Sequence, residues 1–427
     1  MVDKTGLKRE LGLFEVTLAG LGVILGAGIY VLIGRASGLT GNTVWLSFVF
    51  SAAIALLTGF SYAELSSIFP HASAEYEYTR NAFGSIIAFT IGWLVIFSGI
   101  IASAAVALGF GGYFQSLFGV HHLLSACLLI IALTILISYG IKESTWFIIV
   151  STIIEAGALI GIVVISVPSL GSVSYFDMPH GFKGVLEATA LIFFSYLGFE
   201  EIVKLSEETR DPTKVMPRAL LLAIPISTLI YVLVGISVVS LVNWQDLGNS
   251  DAPLADAVRA ALKTDMSLIM SIIALLATAN TALVTLLTTS RIVYGIAQSG
   301  SFPRRLGQVH RTRGTPWVAS ACVGAVSLLF VFGGDTGLVA STANFALFVT
   351  FIAINGSVIY LRYKNSEMSR SFKTPIAVGR LPLLPVFGIF SCLLMLAQLS
   401  PGVLAVGACI TIAGVAAGFL TGRKKGR

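Results

Sequence analysis

The chain has 427 residues, of which 56% are apolar and only 11% are charged, and its formal net charge at pH 7 is +6. Soluble globular proteins carry about 25% charged residues, and this chain has a mean hydropathy of +0.90. The composition excludes disordered, collagen-like and disulfide-rich classes and predicts an all-α membrane protein with many spans.

Long uncharged stretches hold the predicted spans. No Asp, Glu, Lys or Arg occurs at residues 81–141 or at residues 381–421. Both stretches are far longer than the roughly 20 residues that one transmembrane helix needs. Along the chain, the pattern predicts twelve transmembrane helices, at residues 13–36, 43–66, 84–113, 121–139, 145–168, 184–206, 219–242, 266–298, 316–332, 337–361, 383–400 and 402–421.

The basic residues predict the orientation. Twelve spans place both termini on the same side of the membrane, and all but four of the 27 Lys and Arg residues lie on that side; the exceptions are Arg35, Lys183, Arg259 and Lys263. Because cytoplasmic loops are enriched in Lys and Arg, we expect a multi-pass protein of the inner or plasma membrane with both termini cytoplasmic. The positive charge then reflects topology and attraction to anionic membrane lipid, and it implies no nucleic-acid partner.

The sequence contains no motif for a metal or a cofactor. The four cysteines all lie in predicted spans and are interpreted as small buried apolar residues: Cys127, Cys322, Cys392 and Cys409. No histidine has a second ligand at metal-binding spacing, and no phosphate-binding loop follows a strand. We therefore expect no metal, no cofactor and no enzymatic activity.

Two predicted spans contain glycine where a helix would normally be continuous. Gly26 and Gly28 lie in the middle of the first span, and Gly198 lies in the middle of the sixth. Each glycine costs about 1 kcal/mol relative to alanine in a helix interior, so both spans are predicted to be broken. An alternative is close helix packing, because Gly22 and Gly26 have the spacing of small-residue packing motifs.

The two breaks divide the chain into repeats. Gly28 and Gly198 lie 170 residues apart, and each begins a block of five spans. An odd number of spans inverts the second block, which is the inverted-repeat layout of secondary transporters. The predicted parts are a first repeat at residues 1–168, a second repeat at residues 169–361, and helices 11 and 12 with a cytoplasmic tail at residues 362–427.

Broken helices can hold a zwitterion. The N–H groups at the start of a half-helix favour an anion such as a carboxylate, and freed carbonyl groups attract an ammonium group. The breaks therefore predict a site for a small molecule that carries both charges.

Five ordered motifs carry a family resemblance over nearly the whole chain. They are residues 26–34 (GAGIYVLIG), 61–70, 193–200, 207–218 and 290–316. Together they resemble the amino acid–polyamine–organocation (APC) family, most closely its cationic-amino-acid-transporter-like permeases. One departure is visible at His71, Ala72 and Ser73, where the family often has a glycine pair.

The resemblance implies roles for single residues. The substrate carboxylate would lie against the backbone of Gly26, Ala27 and Gly28. The amino group would meet carbonyls near Ile24, Leu25, Phe193 and Ser195. Phe194 matches the aromatic gate of the family, although phenylalanine is also ordinary bulk in a span. A pocket formed by Ile29, Ile100, Ala104 and Phe194 would suit apolar side chains.

Two of the acids in predicted spans suggest specific roles. Glu155 is the only charged residue of the fifth span, where an ionised carboxylate costs several kcal/mol. It is a candidate carrier of a coupling proton; alternatively it is a protonated structural residue, or it helps to bind Na⁺ with carbonyls of the first break and hydroxyls such as Thr281, Thr285 or Ser290. Glu64, at the inner end of the second span, is expected to pair with Arg80 or Arg291.

These observations favour a secondary active amino acid transporter that works by alternating access. Proton-coupled symport of neutral amino acids is the first hypothesis, because a cationic side chain would need a carboxylate in the site, and Glu155, the only acid obviously placed at mid-membrane, is expected behind the site rather than in it. Exchange of amino acids, or of an amino acid for a polyamine, is the alternative within transport. A membrane amino acid sensor or binding subunit without flux is the alternative from another class. The implied partners are the amino acid and membrane lipid, with no obligate protein partner.

Overall fold

A computed structural model describes the chain over residues 11–70, 74–139, 144–262, 267–298, 302–310, 315–333, 335–365 and 367–425. Residues His71, Ala72, Ser73 and Lys263, discussed above, lie outside these ranges. So do the first ten residues of the predicted first repeat.

The described chain folds into α-helices joined by short connections. They are α1 Leu13–Ile24, α2 Ala27–Thr40, α3 Val44–Ile68, α4 Ala74–Phe83, α5 Ser85–Phe118, α6 His122–Tyr139, α7 Ser144–Ser166, α8 Gly181–Ile192, α9 Pro212–Leu241, α10 Trp244–Gly248, α11 Pro253–Leu262, α12 Ser267–Gln298, α13 Trp317–Val331, α14 Thr336–Lys364, α15 Leu383–Leu396 and α16 Pro401–Lys425. A two-residue antiparallel hairpin pairs β1 (Ala377–Val378) with β2 (Leu381–Pro382).

Seven of the described helical stretches are long and apolar enough to cross a membrane. They are α2 continuing into α3, then α5, α7, α9, α12, α14 and α16, and four shorter apolar helices accompany them: α1, α6, α13 and α15. Many large apolar side chains on these helices point outward, as a lipid solvent permits. The protein is therefore an all-α, multi-pass membrane protein.

Two of the predicted spans are each divided. In the first, α1 ends at Ile24 and α2 begins at Ala27. Leu25 and Gly26 lie between the two helices, and we call residues 23–28, which include the helix ends on either side, the first break. In the sixth, α8 ends at Ile192 and is followed by 3₁₀ turns, with Gly198 at a φ of +114°. That φ is readily adopted only by glycine. We call residues 193–201 the second break.

Helices five predicted spans apart pack against one another. α2 contacts α8, α3 contacts α9, α5 contacts α12, and α6 contacts α13. These contacts bring the two breaks to the same place in the bundle. α5, with 34 residues, lies at the centre and also packs on α14 and α16.

Some predicted spans were too short, and some predicted connections contain helix. α9 begins at Pro212 rather than at residue 219, because proline is tolerated in the first turn and the helix extends beyond its apolar part. The short helices α4, α10 and α11 all lie in predicted connections. They fold there because their apolar faces cover the ends of the bundle, as the buried Leu254 and Val258 of α11 illustrate.

The prediction that all cysteines are buried was wrong for two of them. Cys392 is buried and Cys127 is partly buried, whereas Cys322 and Cys409 are exposed. An apolar side chain on the outside of a transmembrane helix contacts lipid, which is as apolar as the core. Burial inside the bundle therefore stabilises a cysteine little more than contact with lipid does.

The predicted partners of Glu64 were also wrong. Glu64 is buried on α3 and accepts hydrogen bonds from Arg362 Nε at 2.9 Å and from the backbone N–H of Thr374 at 2.8 Å. Arg370 Nε lies 3.3 Å from the same carboxylate, while Arg80 pairs with Glu77. The segment after α14 folds back over α3, a contact between residues about 300 positions apart.

Candidate functional site

The two breaks are in direct contact because both contain glycine. A Cβ on Gly28 would lie 2.5 Å from Cα of Ser195, which is shorter than real Cβ contacts. A Cβ on Gly198 would collide with the side chain of Val23 in the same way. Only glycine therefore permits this approach of the two backbones.

The first break exposes the amino end of α2. Gly26 has extended backbone angles, and no side chain of its own caps the helix. Instead, the backbone N–H of Ala27 donates a hydrogen bond to Oγ1 of Thr281 on α12 at 3.0 Å. The positive end of a 14-residue helix thus points at one neutral hydroxyl.

Carbonyl groups of both breaks converge on one side chain. The hydroxyl of Tyr231, on α9, donates to the carbonyl of Ser195 at 2.9 Å and also contacts the carbonyl of Ile24. Tyr231 is fully buried. A hydroxyl has one proton, so it fully serves only one of these two carbonyls at a time.

A cavity of about 80 Å³ lies beside the breaks. This is room for a small molecule or several water molecules. Its wall includes five of the predicted site residues: Ile24, Ala27, Gly28, Phe194 and Ser195. Oγ of Ser195 is buried and has no hydrogen-bond partner among the described residues.

The other predicted site residues do not line this cavity. They are Leu25, Gly26, Ile29, Phe193, Ile100, Ala104 and Glu155, all of which are buried. Phe193 packs instead on Phe348, with ring centroids 4.9 Å apart. Of the two phenylalanines, Phe194 is therefore the one that faces the cavity.

The third span contributes a different face from the predicted one. Ile100 and Ala104 point away from the cavity, and the carbonyl of Ile100 accepts a hydrogen bond from Ser327 on α13. The wall is formed by residues spaced three or four apart on another face of α5: Val95, Ser98, Gly99, Ala102 and Val106. The prediction that the third span contributes to the pocket names the correct helix. The face of that helix that lines the cavity was not predictable, because apolar residues occur on all its faces.

Threonines of α12 form a hydroxyl-bearing wall. Thr281 and Thr285 line the cavity, as do Thr288 and Thr289, whereas Ser290 is buried elsewhere and bonds to the carbonyl of Leu287. The hydroxyl of Thr285 donates to the carbonyl of Thr281 within its own helix. Of the described threonines of this wall, Thr281 is the one whose hydroxyl bonds to α2.

Charged residues also line the cavity. Lys204 forms an ion pair with Glu201, and Glu200 accepts a hydrogen bond from the backbone N–H of Gly198 at 3.0 Å. Glu75 accepts one from the hydroxyl of Tyr62 at 3.3 Å. Burial raises the pKa of the Glu75 carboxyl, while nearby Lys204 opposes that shift.

Glu155 belongs to α7 and lies behind the cavity wall, where it contacts α12 and α2. Its side chain is fully buried. Asn280 donates a hydrogen bond from Nδ2 to Oε1 of Glu155 at 3.3 Å, and the hydroxyl of Tyr30 donates to its backbone carbonyl at 2.8 Å. Oε2 has no partner among the described residues.

Sequence reasoning missed four residues of this region: Tyr231, Asn280, Glu75 and Lys204. The first two had a signal, since a tyrosine or asparagine in an apolar span needs a hydrogen-bond partner. The other two had none, because they lie at span ends where charge is ordinary. Among the described residues, no group of three or more His, Cys, Asp or Glu is placed to hold a metal ion.

Comparison with known proteins covers the whole site. Residues 11–420 match the amino acid permease family. The branched-chain amino acid permease BcaP of Bacillus subtilis (strain 168) is 30% identical, over 92% of this chain and 88% of that protein. A methylthioribose transporter of the same organism is 29% identical, over 98% and 94%. The vacuolar cationic amino acid transporter 4 of Arabidopsis thaliana is 28% identical, over 84% and 64%.

Proposed function

Because this chain belongs to the amino acid permease family, we propose that it is a secondary active transporter that moves neutral amino acids by alternating access, coupled to protons. The protein is a membrane permease and not an enzyme. The observation that carries the proposal is the contact of two broken helices beside a small cavity. The residues of its wall include Ala27, with its N–H at a helix start, and Ile24 and Ser195, whose carbonyls meet at Tyr231.

A zwitterion fits the two polarities. The substrate carboxylate binds at the start of α2, where Ala27 presents its N–H to Thr281, and the N–H groups of Gly26 and Gly28 belong to the same site. The ammonium group binds the carbonyls of Ile24 and Ser195, which meet at Tyr231, with those of Leu25 and Phe193 nearby. Charged groups make stronger hydrogen bonds than the hydroxyls that occupy these positions.

The cavity wall favours a neutral, apolar substrate side chain. Its apolar residues include Val23, Ala102, Val106 and Leu347, with Phe194 as the proposed gate. The charged residues Lys204, Glu201 and Glu200 of the wall are engaged with one another or with the backbone. The name of BcaP supports branched-chain amino acids as the first substrates to test.

Twelve spans in a five-plus-five inverted repeat are part of the proposal. Support comes from the packing of helices five spans apart. The repeats are residues 1–168 and 169–361, and α15 and α16 are peripheral. Both termini are proposed to be cytoplasmic, as the basic residues favour.

Glu155 is the proposed proton site. Its buried carboxyl keeps an oxygen without a hydrogen-bond partner among the described residues, and Tyr30 connects its backbone to α2. A proton on the carboxyl removes the cost of a charge at this depth. Its release would then accompany a conformation in which water reaches the side chain.

The test is uptake of labelled leucine into proteoliposomes with and without an inward proton gradient. We expect the gradient to drive uptake by the wild type. Glu155→Gln should bind leucine but lose gradient-driven uptake. The matched control is Glu187→Gln, which changes a half-exposed glutamate of α8 paired with Lys183 and should leave uptake unchanged.

Several outcomes would contradict parts of the proposal. Uptake that ignores pH but requires internal amino acid would indicate an exchanger. Uptake driven by a sodium gradient instead would assign coupling to Na⁺, and labelled arginine preferred over leucine would reject a neutral substrate. Binding without flux would indicate a sensor or binding subunit.

A further inference from the structure

Two hydrogen-bonded side chains in the core each keep one unsatisfied atom. Asn280 donates from Nδ2 to Oε1 of Glu155 at 3.3 Å. The other oxygen of the glutamate, Oε2, and the other amide atom of the asparagine, Oδ1, are both buried without a partner in the described part of the chain. Buried polar atoms are rarely left unsatisfied, because each costs about 1–3 kcal/mol.

One proton resolves both deficits. An ionised carboxylate only accepts hydrogen bonds, so it cannot serve Asn280 Oδ1, whereas a protonated carboxyl has one O–H donor. With a proton on Oε2, the glutamate can donate a hydrogen bond to Oδ1 of Asn280, which otherwise has no donor. We infer that Asn280 holds Glu155 as a neutral acid–amide pair in this conformation, so that Asn280 is the positioning residue for the coupling proton. This inference rests on the proposed proton-coupled transport.

Among the residues that the structure describes, no cation compensates the charge of this pair. Tyr30 faces Glu155 from α2 and Tyr231 lies near it on α9, and both hydroxyls donate to backbone carbonyls. On α11, which also packs on α7, Asp256 and Arg259 pair with each other at 3.3 Å. None of the ion pairs found among the described residues includes Glu155. A buried carboxylate without a cation is more stable with its proton.

The pair is connected to the substrate site through the next residue of α12. Asn280 faces Glu155, and Thr281 accepts the hydrogen bond of Ala27 at the start of α2. A rotation or shift of α12 at this point therefore changes both contacts together. Loss of the proton would weaken the pair and free α12 to move relative to α2.

The test exchanges acid and amide while keeping both side-chain lengths. Glu155→Gln leaves two amides and Asn280→Asp leaves two carboxyls, whereas the double variant Glu155→Gln/Asn280→Asp restores one acid and one amide. We expect gradient-driven leucine uptake to fall about tenfold or more in each single variant. The double variant should recover most of the wild-type uptake. A double variant that behaves like Glu155→Gln would overturn the inference.

An infrared measurement separates the pair from the transport hypothesis. The purified wild type should show the C=O stretching band of a buried protonated carboxyl, which is absent in Glu155→Gln and present again in the double variant. Asn280→Leu, of similar size, should move the band to the higher frequency of an unbonded acid. An unchanged frequency would overturn the pair, even if the double variant does not fold. Bands as expected without proton-driven uptake would keep the pair and reject the proposed function.

Discussion

The side-chain hydroxyl of Thr281 accepts a hydrogen bond from the backbone N–H of Ala27, the first residue of α2, at 3.0 Å. In Thr281→Val this N–H loses its partner, and an unsatisfied buried N–H costs about 1–3 kcal/mol. We expect the empty variant to unfold at a lower temperature than the wild type. Saturating leucine should stabilise it more than it stabilises the wild type, because the substrate carboxylate supplies the missing acceptor.

The control for this experiment is Thr285→Val. Its hydroxyl also faces the cavity but bonds to the carbonyl of Thr281 within α12. It should show the same leucine-dependent shift in unfolding temperature as the wild type. Equal shifts in Thr281→Val and Thr285→Val would argue against a carboxylate at Ala27.

Gly28 should not tolerate even the smallest side chain. In Gly28→Ala the new Cβ would lie 2.5 Å from Cα of Ser195, a backbone atom that cannot turn aside. We expect leucine uptake to be abolished because the two breaks are pushed apart. Gly161→Ala on α7, where no atom lies within 4 Å of the new Cβ, should keep full uptake and gain up to about 1 kcal/mol of stability. Normal uptake by Gly28→Ala would mean that contact of the breaks is dispensable.

The burial of Glu75 predicts a pH dependence of stability. Burial raises the pKa of this carboxyl, so the folded protein prefers the protonated form. The stability that this preference supplies is fully present below the ordinary glutamate pKa and is lost as pH rises through the raised value. Glu75→Gln should therefore reduce the fall in unfolding temperature between those pH values and neutrality.

The matched control for Glu75 lies two residues along the same helix. Glu77→Gln changes a partly exposed acid that pairs with Arg80 at 3.5 Å. It should retain the wild-type dependence of unfolding temperature on pH. Identical pH profiles for wild type and Glu75→Gln would show that Lys204 fully offsets the burial of Glu75.

A buried ion pair should contribute more to the free energy of unfolding than an exposed one. Arg362→Met removes one partner from Glu64, whose side chain is 1% exposed, and leaves Arg370 and the Thr374 N–H beside it, so it should cost about 1.5–3 kcal/mol in the free energy of unfolding. Arg35→Met removes a partner from Asp335 in a pair whose side chains are 41% and 51% exposed, and should cost less than about 1 kcal/mol. Chemical denaturation in detergent measures both, and similar losses would contradict the argument from burial.

The sequence by itself determined the membrane class and the positions of the helices. Uncharged stretches of several tens of residues have no other stable solvent than lipid, and α3, α6, α13 and α14 fall within a few residues of their predicted ranges. The breaks were also predictable from Gly26, Gly28 and Gly198. Glycine destabilises a helix interior, and this effect follows from the residue type and its place in the span, without knowledge of the packing.

The tertiary structure alone decided which side chains meet. Helices that are apolar all round give no information on rotation, so the sequence did not show that Ser98 and Ala102, rather than Ile100 and Ala104, line the cavity. It also gave no sign that Tyr231 would bridge two breaks or that Asn280 would face Glu155, contacts across 207 and 125 positions. The physical reason is that burial and hydrogen-bond pairing are properties of the packed bundle, whereas hydropathy and glycine strain belong to each segment alone.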